Sequence, residues 1–176
     1  MSAFEQAFRI VVGEEGSLST DAADPGNWTG GRCGVGSCAG TKYGISAAAY
    51  PHLAIASLSV EAAREIYKRD YWDKLRADEL PPPLALLLFD AAVNNGVTRA
   101  AKWLQSAVGV AADGAVGTAT LAAVRARAGQ GAAVLAEFQV KRLLFMTSLP
   151  TWRTFGTGWA RRLCKLPFEA VQMGAG

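Results

Sequence analysis

A short stretch near the N-terminus carries three carboxylic acids in differing surroundings: Glu15, Asp21 and Asp24. Glu15 extends the stripe Phe4, Phe8, Val11 along one face of a predicted first helix, which puts it on the core side at the C-terminal end. Its neighbour Glu14 lies about 100° round the helix and faces solvent. Burial disfavours a charged carboxylate, and so does the negative end of a helix dipole, so both raise the pKa. A carboxyl that keeps its proton near neutral pH is what a general acid requires. The plainer alternative is a frayed helix end with Glu15 in water. Asp21 and Asp24 follow in a polar segment, where a carboxyl stays ionised. One raised acid beside one ionised carboxylate is the arrangement glycosidases use. Asp24-Pro25-Gly26 is also a good turn former in its own right.

Other side chains could line a site. Tyr43 is either a sugar-stacking residue or a β-strand core residue. Asp90 and Asn94 stand one helical turn apart, and either line the far wall of a cleft or form a buried polar pair that ties a loop. Gln105, on a Trp-Leu helix, touches either saccharide or solvent. His52 has no Ser or Cys nucleophile nearby and reads as a surface or structural histidine. Cys33, Cys38 and Cys164 are odd in number and lack zinc spacing, so free thiols are expected first, with a Cys33–Cys38 loop disulfide as the alternative, and no metal and no cofactor.

The elements that must position these groups follow from pattern. Of 176 residues, 51% are apolar and 19% charged, which excludes disorder for most of the chain. The most apolar stretch, Leu84 to Phe89, falls well short of the roughly 18 residues a bilayer span needs. Ser2 caps a helix over about the first fourteen residues. Residues 16–46 are rich in Gly, Ser, Thr, Asp and Asn and lose helical period; so long an irregular segment is usually functional, and short strands fit inside it. Helices resume after Ser59. Leu84 to Val93 is apolar nearly all round and therefore buried. Thr98 is expected to cap the next helix and Thr118 to open a short one through Leu121 and Val124, which Gly129 ends; a longer one runs from about Ala132 to Thr147. A last helix carries Trp159 and Leu163. Trp152, Phe155 and Trp159 are expected in the core. The basic group Arg153, Arg161, Arg162 and Lys165 reads as a solvated face, or alternatively as a contact with anionic membrane or lipopolysaccharide.

Several spaced motifs then resemble glycoside hydrolase family 108, which contains phage endolysins and bacterial N-acetylmuramidases. They are Phe8-x6-Glu15-Gly16 through Asp24-Pro25-Gly26, Thr41-Lys42-Tyr43-Gly44-Ile45-Ser46, Ala63 to Tyr71-Trp72, and Phe89-Asp90-x2-Val93-Asn94-x-Gly96. From Trp103-Leu104-Gln105 to Asp113-Gly114-x2-Gly117-x2-Thr120-Leu121 the chain is similar to the peptidoglycan-binding-type segment usually joined to that family. Ser17, Leu18 and Ala22 depart from the family's Gly, Tyr and Pro, and Asn27 to Gly40 is an insertion. Glu15 and Asp24 also match the Glu-x8-Asp of phage-type lysozymes, with Thr41 as the Thr that follows, delayed by the insertion.

The resemblance implies a mainly α (α+β), lysozyme-like fold: a helical bundle with a long N-terminal loop or small β-hairpin region. It implies a catalytic region over 1–95 and a peptidoglycan-binding-type region over 96–172, packed as one unit, with the cleft between the N-terminal loop and the later helices. Glu15 is expected to be the general acid. Asp24 would stabilise the oxocarbenium-like transition state or hold the water, and Thr41 would position that water. Tyr43, Asp90, Asn94 and Gln105 are the expected substrate contacts. The reaction would be hydrolysis of the β-1,4 bond between N-acetylmuramic acid and N-acetylglucosamine. Alternatives are a lytic transglycosylase and a non-catalytic wall-binding or secretion-assisting protein. The N-terminus shows no signal peptide, so the chain is expected to start in the host cytoplasm and reach periplasmic peptidoglycan after release by a holin. A net charge of +3 suits an acidic wall and is too small and scattered for a nucleic-acid partner. A monomer is expected.

Overall fold

The structure, a computed structural model, describes residues 1–14 and 16–173. Its helices are α1 (Ala3–Val11), α2 (Val60–Tyr67), α3 (Pro82–Asn95), α4 (Val97–Val108), α5 (Thr118–Ala126), α6 (Gly131–Thr147) and α7 (Trp152–Met173), and its strands are β1 (Thr41–Lys42) and β2 (Ile45–Ser46). The fold is mainly α with one small antiparallel hairpin, as the sequence predicts. None of the described helices is long and apolar enough to cross a membrane. The chain divides into two compact units, one of residues 1–7 with 69–176 and one of residues 8–68. This break falls at Lys68, inside the region expected to be catalytic, and the 95/96 boundary lies within the first unit.

In that first unit, α3 runs through the centre. Residues Leu84 to Ala92 are all buried, because α4, α6 and α7 pack around the helix. Pro82 opens it, where the missing N–H costs no helical bond. Phe4, Trp72 and Phe89 meet edge to face, with ring centroids 5.4, 5.6 and 6.1 Å apart. Trp72 also donates Nε1–H to Asp78 Oδ1 at 2.8 Å, so its polar edge is satisfied inside the core.

The start of α1 is a capping box. Glu5 N donates to Ser2 Oγ at 3.2 Å, and Ser2 N donates to Glu5 Oε2 at 2.8 Å. Ser59 caps α2 in the expected way, accepting from Ala62 N at 3.2 Å. Thr98 does not cap its helix: Gly96 stands at the cap without a side-chain bond, and Thr98 sits inside the first turn. Thr118 opens α5, as the sequence predicts, with Gly117 before it.

Trp152, Phe155 and Trp159 are not core residues. They form an aromatic row on α7, with centroids about 6.0 and 5.9 Å apart and Phe155 54% exposed. α7 buries Gly156, Leu163, Leu166 and Ala170 instead. The small residue at 156 lets Trp152 lie back over the helix.

The second unit collects Phe8, Ile45, Ala47, Ile55, Leu58, Ala63, Ile66 and Tyr67 into its own small core. Phe8 and Tyr67 meet edge to face at 5.7 Å, and the Arg64 guanidinium lies 5.3 Å from the Phe8 ring centre. The hairpin pairs Thr41 with Ser46 and Lys42 with Ile45. Tyr43 and Gly44 form its two-residue turn with φ 52° and 74°, the left-handed pair that suits the twist of a hairpin.

Candidate active site

α1 ends at Val11, earlier than the sequence pattern predicts. Val12 N and Gly13 N both bond back to Phe8 O, and Gly13 turns left-handed at φ 83°. The helical phase used to place residue 15 therefore does not reach it, and Glu15 itself lies outside the described residues. Its neighbours are described. Glu14 is exposed, with its Oε1 3.7 Å from Arg9 Nε and 3.8 Å from an Arg64 guanidinium nitrogen. Gly16 lies against the ring of Tyr43: a β-carbon on Gly16 would stand 2.7 Å from Tyr43 Cγ and closer still to Cδ1 and Cε1.

The loop after Gly16 is built on backbone pairing. Ser19 and Thr41 exchange two hydrogen bonds of 2.9 Å, so the loop runs antiparallel beside β1. Asp21 Oδ1 accepts from Ala23 N at 2.9 Å, and Asp24 Oδ1 accepts from Gly26 N at 2.8 Å. Both aspartates thus form Asx turns, and both are exposed. The turn expected of Asp24-Pro25-Gly26 is present, as a 3-10 turn over Pro25–Asn27 capped by Asp24.

The insertion closes on itself. Trp28 pairs with Cys38, Thr29 N bonds to Ser37 O at 3.0 Å, and Gly40 N bonds to Asn27 O at 3.0 Å. The segment therefore leaves from Asn27 and returns beside it, one residue before Thr41. Asp24 stands three residues before Asn27, so the excursion does not carry the Asp24 turn away from Thr41. Asn27 is fully buried and donates Nδ2–H to Asp21 O at 2.9 Å. Trp28 Nε1–H reaches Ala22 O at 3.0 Å, a second tie across the same turn. Cys33 and Cys38 are free thiols, as expected; their sulfurs lie 3.4 Å from Ala23 O and 3.7 Å from Thr20 O. Among the described residues no group of side chains could hold a metal ion. His52 is exposed, beside Pro51.

The expected substrate contacts in the other unit have different surroundings. Asp90 is 0% exposed and is clamped between two arginines. Arg142 donates to its Oδ2 at 2.6 Å, and Arg162 Nε donates to its Oδ1 at 2.6 Å with a second guanidinium nitrogen on the same oxygen. Asn94 is exposed but turns its amide back to Asp90, with Nδ2 2.8 Å from the backbone oxygen and 3.2 Å from Oδ1. Arg142 Nε also donates to Asn95 Oδ1 at 3.0 Å. Burial pushes the Arg142 guanidinium below its usual pKa, and the Asp90 carboxylate works against that shift. Asp90 is buried, as the alternative to a cleft wall expects, but Asn94 is exposed, and the tie runs to α6 and α7 and not to a loop. Arg162 belongs to it, so the basic face of α7 consists of Arg153, Arg161 and Lys165 without Arg162.

Gln105 is 1% exposed, which corrects its expected place at a saccharide or solvent surface. Its Nε2 donates to Asp113 Oδ1 at 2.6 Å, Ala115 O at 3.0 Å and Thr120 Oγ1 at 3.2 Å, and its Oε1 accepts from Gly114 N at 2.8 Å. The amide is consumed in holding the 109–117 loop. Sequence reasoning missed Arg142, although the signal was present: Val134, Phe138, Arg142 and Met146 repeat every four residues and all are buried. It also missed the Gly16–Tyr43 packing, which no local pattern announces.

Helices surrounding a buried α3, joined to a Gly-rich hairpin region that carries exposed carboxylates, define a lysozyme-like fold. Residues 8–96 match the family model described as Glycosyl hydrolase 108, and residues 99–164 match one described as Predicted Peptidoglycan domain. The chain belongs to the glycosyl hydrolase 108 family, and is a glycoside hydrolase that acts on peptidoglycan. The structure of SagA from Brucella abortus is similar, with 31% sequence identity and a TM-score of 0.79, over 98% of this chain and 96% of that one. A comparison with curated proteins found no match.

Proposed function

We propose that this chain is an N-acetylmuramidase of the endolysin type, which hydrolyses the β-1,4 bond between N-acetylmuramic acid and N-acetylglucosamine. Glu15 gives its proton to the glycosidic oxygen as the bond from that oxygen to the muramic acid C1 breaks. Water adds to C1 and its proton restores Glu15 or passes to solvent. The Asp24 carboxylate faces the positive charge that grows on the ring, or holds the water, and Thr41 orients that water. The observation that carries this reading is the closed 27–40 excursion. It keeps the Asp24 turn and Thr41 on hydrogen-bonded neighbouring backbone, despite the residues inserted between them. As an endolysin, the protein is made in the host cytoplasm and meets the wall once a holin opens the inner membrane.

The test is Glu15→Gln, a near-isosteric change that removes the transferable proton. The variant folds with native helicity and fails to clear a suspension of purified peptidoglycan. Lysis at the native rate overturns the assignment. Mass spectrometry of the released fragments separates the chemistry: a reducing-end sugar marks hydrolysis, and a 1,6-anhydro end marks a lytic transglycosylase.

A further inference from the structure

We infer that Tyr43 is a positioning residue: its ring is the surface on which the chain immediately after Glu15 is set, and it acts on catalysis through Gly16 and not by stacking on sugar. The inference rests on the reading of Glu15 as the proton donor.

Three observations converge. First, Gly16 has no side chain where one would collide with the ring. A β-carbon there meets Tyr43 Cγ at 2.7 Å, and Cγ is the root of the ring, which cannot swing aside as a side-chain tip can. The backbone thus rests directly on the aromatic ring at the residue that follows Glu15 in the chain. Second, Tyr43 is itself held in an uncommon conformation. Its φ is 52°, a left-handed state that a bulky residue adopts only when its surroundings impose it. Those surroundings are visible: the Tyr67 hydroxyl donates to Tyr43 O at 2.9 Å, and Gly44 shares the turn. Third, the chain is anchored again just beyond, where Ser19 and Thr41 exchange two hydrogen bonds. The segment after Glu15 is therefore clamped to the hairpin at Gly16 by packing and at Ser19 by pairing. The ring has the Lys42 ammonium 5.5 Å from its centre, so part of its surroundings is already occupied.

A group that holds a general acid in place contributes to turnover and not to substrate affinity, since a misplacement of about 1 Å can cost on the order of 100-fold in rate. Four variants of the full chain are measured for kcat and KM on soluble glycan fragments of peptidoglycan. Tyr43→Phe keeps the ring and stays within about twofold of native. Tyr43→Ala and Gly16→Ala each lower kcat by about 10- to 100-fold with KM changed less than about twofold. The double variant Gly16→Ala/Tyr43→Ala loses no more than the worse single variant, because both remove one contact.

Circular dichroism melts accompany each measurement, and kcat is taken per folded molecule. If Tyr43→Ala proves unfolded, Gly16→Ala and Tyr43→Phe still decide the matter. A large rise in KM with unchanged kcat for Tyr43→Ala makes the ring a sugar platform and overturns the inference. So does a fully active Gly16→Ala, or losses that multiply in the double variant. Glu15→Gln in the same assay separates the two readings. If it is inactive while Tyr43→Ala and Gly16→Ala are native, only the positioning role fails. If it is active, the proton donor lies elsewhere and the positioning role falls with it.

Discussion

Replacing Asp90 by Asn tests whether the charge at the centre of α3 is structural. The carboxylate is 0% exposed and Arg142 is 1% exposed, so removing the negative charge leaves a buried guanidinium without its counterion. Losing one partner of a buried pair costs about 3–5 kcal/mol, and Asn sits at the low end because it keeps the shape and one acceptor. Arg162 adds less, since its side chain is 37% exposed and can turn to water. In a chain this size each kcal/mol lowers the melting temperature by about 2–4 °C, so a drop of about 6–12 °C is expected. Thermal denaturation followed by tryptophan fluorescence reads it, because four of the five tryptophans (72, 103, 152 and 159) lie in the unit that holds Asp90. The double variant Asp90→Leu, Arg142→Met removes both buried charges and should recover much of the loss. A melting point within about 2 °C of native refutes the reasoning. Peptidoglycan cleavage measured well below the melt is the second readout. A folded Asp90→Asn variant that no longer cleaves would restore the substrate role its position in the family motif suggested.

Three further outcomes follow from the same geometry. Asp24→Ala should reduce peptidoglycan clearing less than Glu15→Gln does; if Asp21→Ala has the larger effect instead, the second role belongs to Asp21. Gln105→Leu leaves Ala115 O and Gly114 N without their partner and takes one of two donors from Asp113, and should cost about 2–4 kcal/mol in urea denaturation. The Ala115 N–H and the Gln105 amide lower the Asp113 pKa below its ordinary value near 3.8. The stability this group gives is present above that value and is lost as pH falls through the lower folded value. Hydrogen exchange in the 109–117 loop should accelerate over that acid range in the native protein, and Asp113→Asn should flatten the dependence.

Elements with a strong one-body pattern were legible in the sequence. α3 is apolar on every side, and only a helix surrounded by others can be so. Ser2 and Ser59 announce helix starts through side-chain bonds that span three residues, which local sequence can encode. Thr98 misleads because a glycine two residues before it offers a second candidate for the same cap, and here the glycine takes it. The aromatic row of α7 was misplaced because large apolar residues read as core wherever they fall. On this helix the small Gly156, with Leu163, Leu166 and Ala170, forms the buried stripe. The break between the two units was not legible either. The Ala63, Tyr67, Tyr71 spacing continues across it, and the widened turn over Lys68–Trp72 is a backbone event that leaves the side-chain pattern intact.

The site divides along the same line. Motif order proposes Glu15, Asp24 and Thr41, while helical periodicity does not extend to residue 15, because α1 stops at Val11. Spacing along the chain would have separated Asp24 from Thr41, because an insertion lengthens the path between them. The backbone undoes that lengthening by pairing Trp28 with Cys38 and Asn27 with Gly40, so the added residues form a closed excursion. Such a loop adds surface without moving its ends, and its closure entropy grows only slowly with length. The bonds that keep the ends together are main-chain bonds, which any residue except proline on the donor side can supply. That is why the family pattern survives the insertion in order but not in spacing. It is also why the proposed site residues are legible from motif order, whereas the contacts around the hairpin, Gly16 on Tyr43 and Tyr67 on its turn, are visible only in the fold.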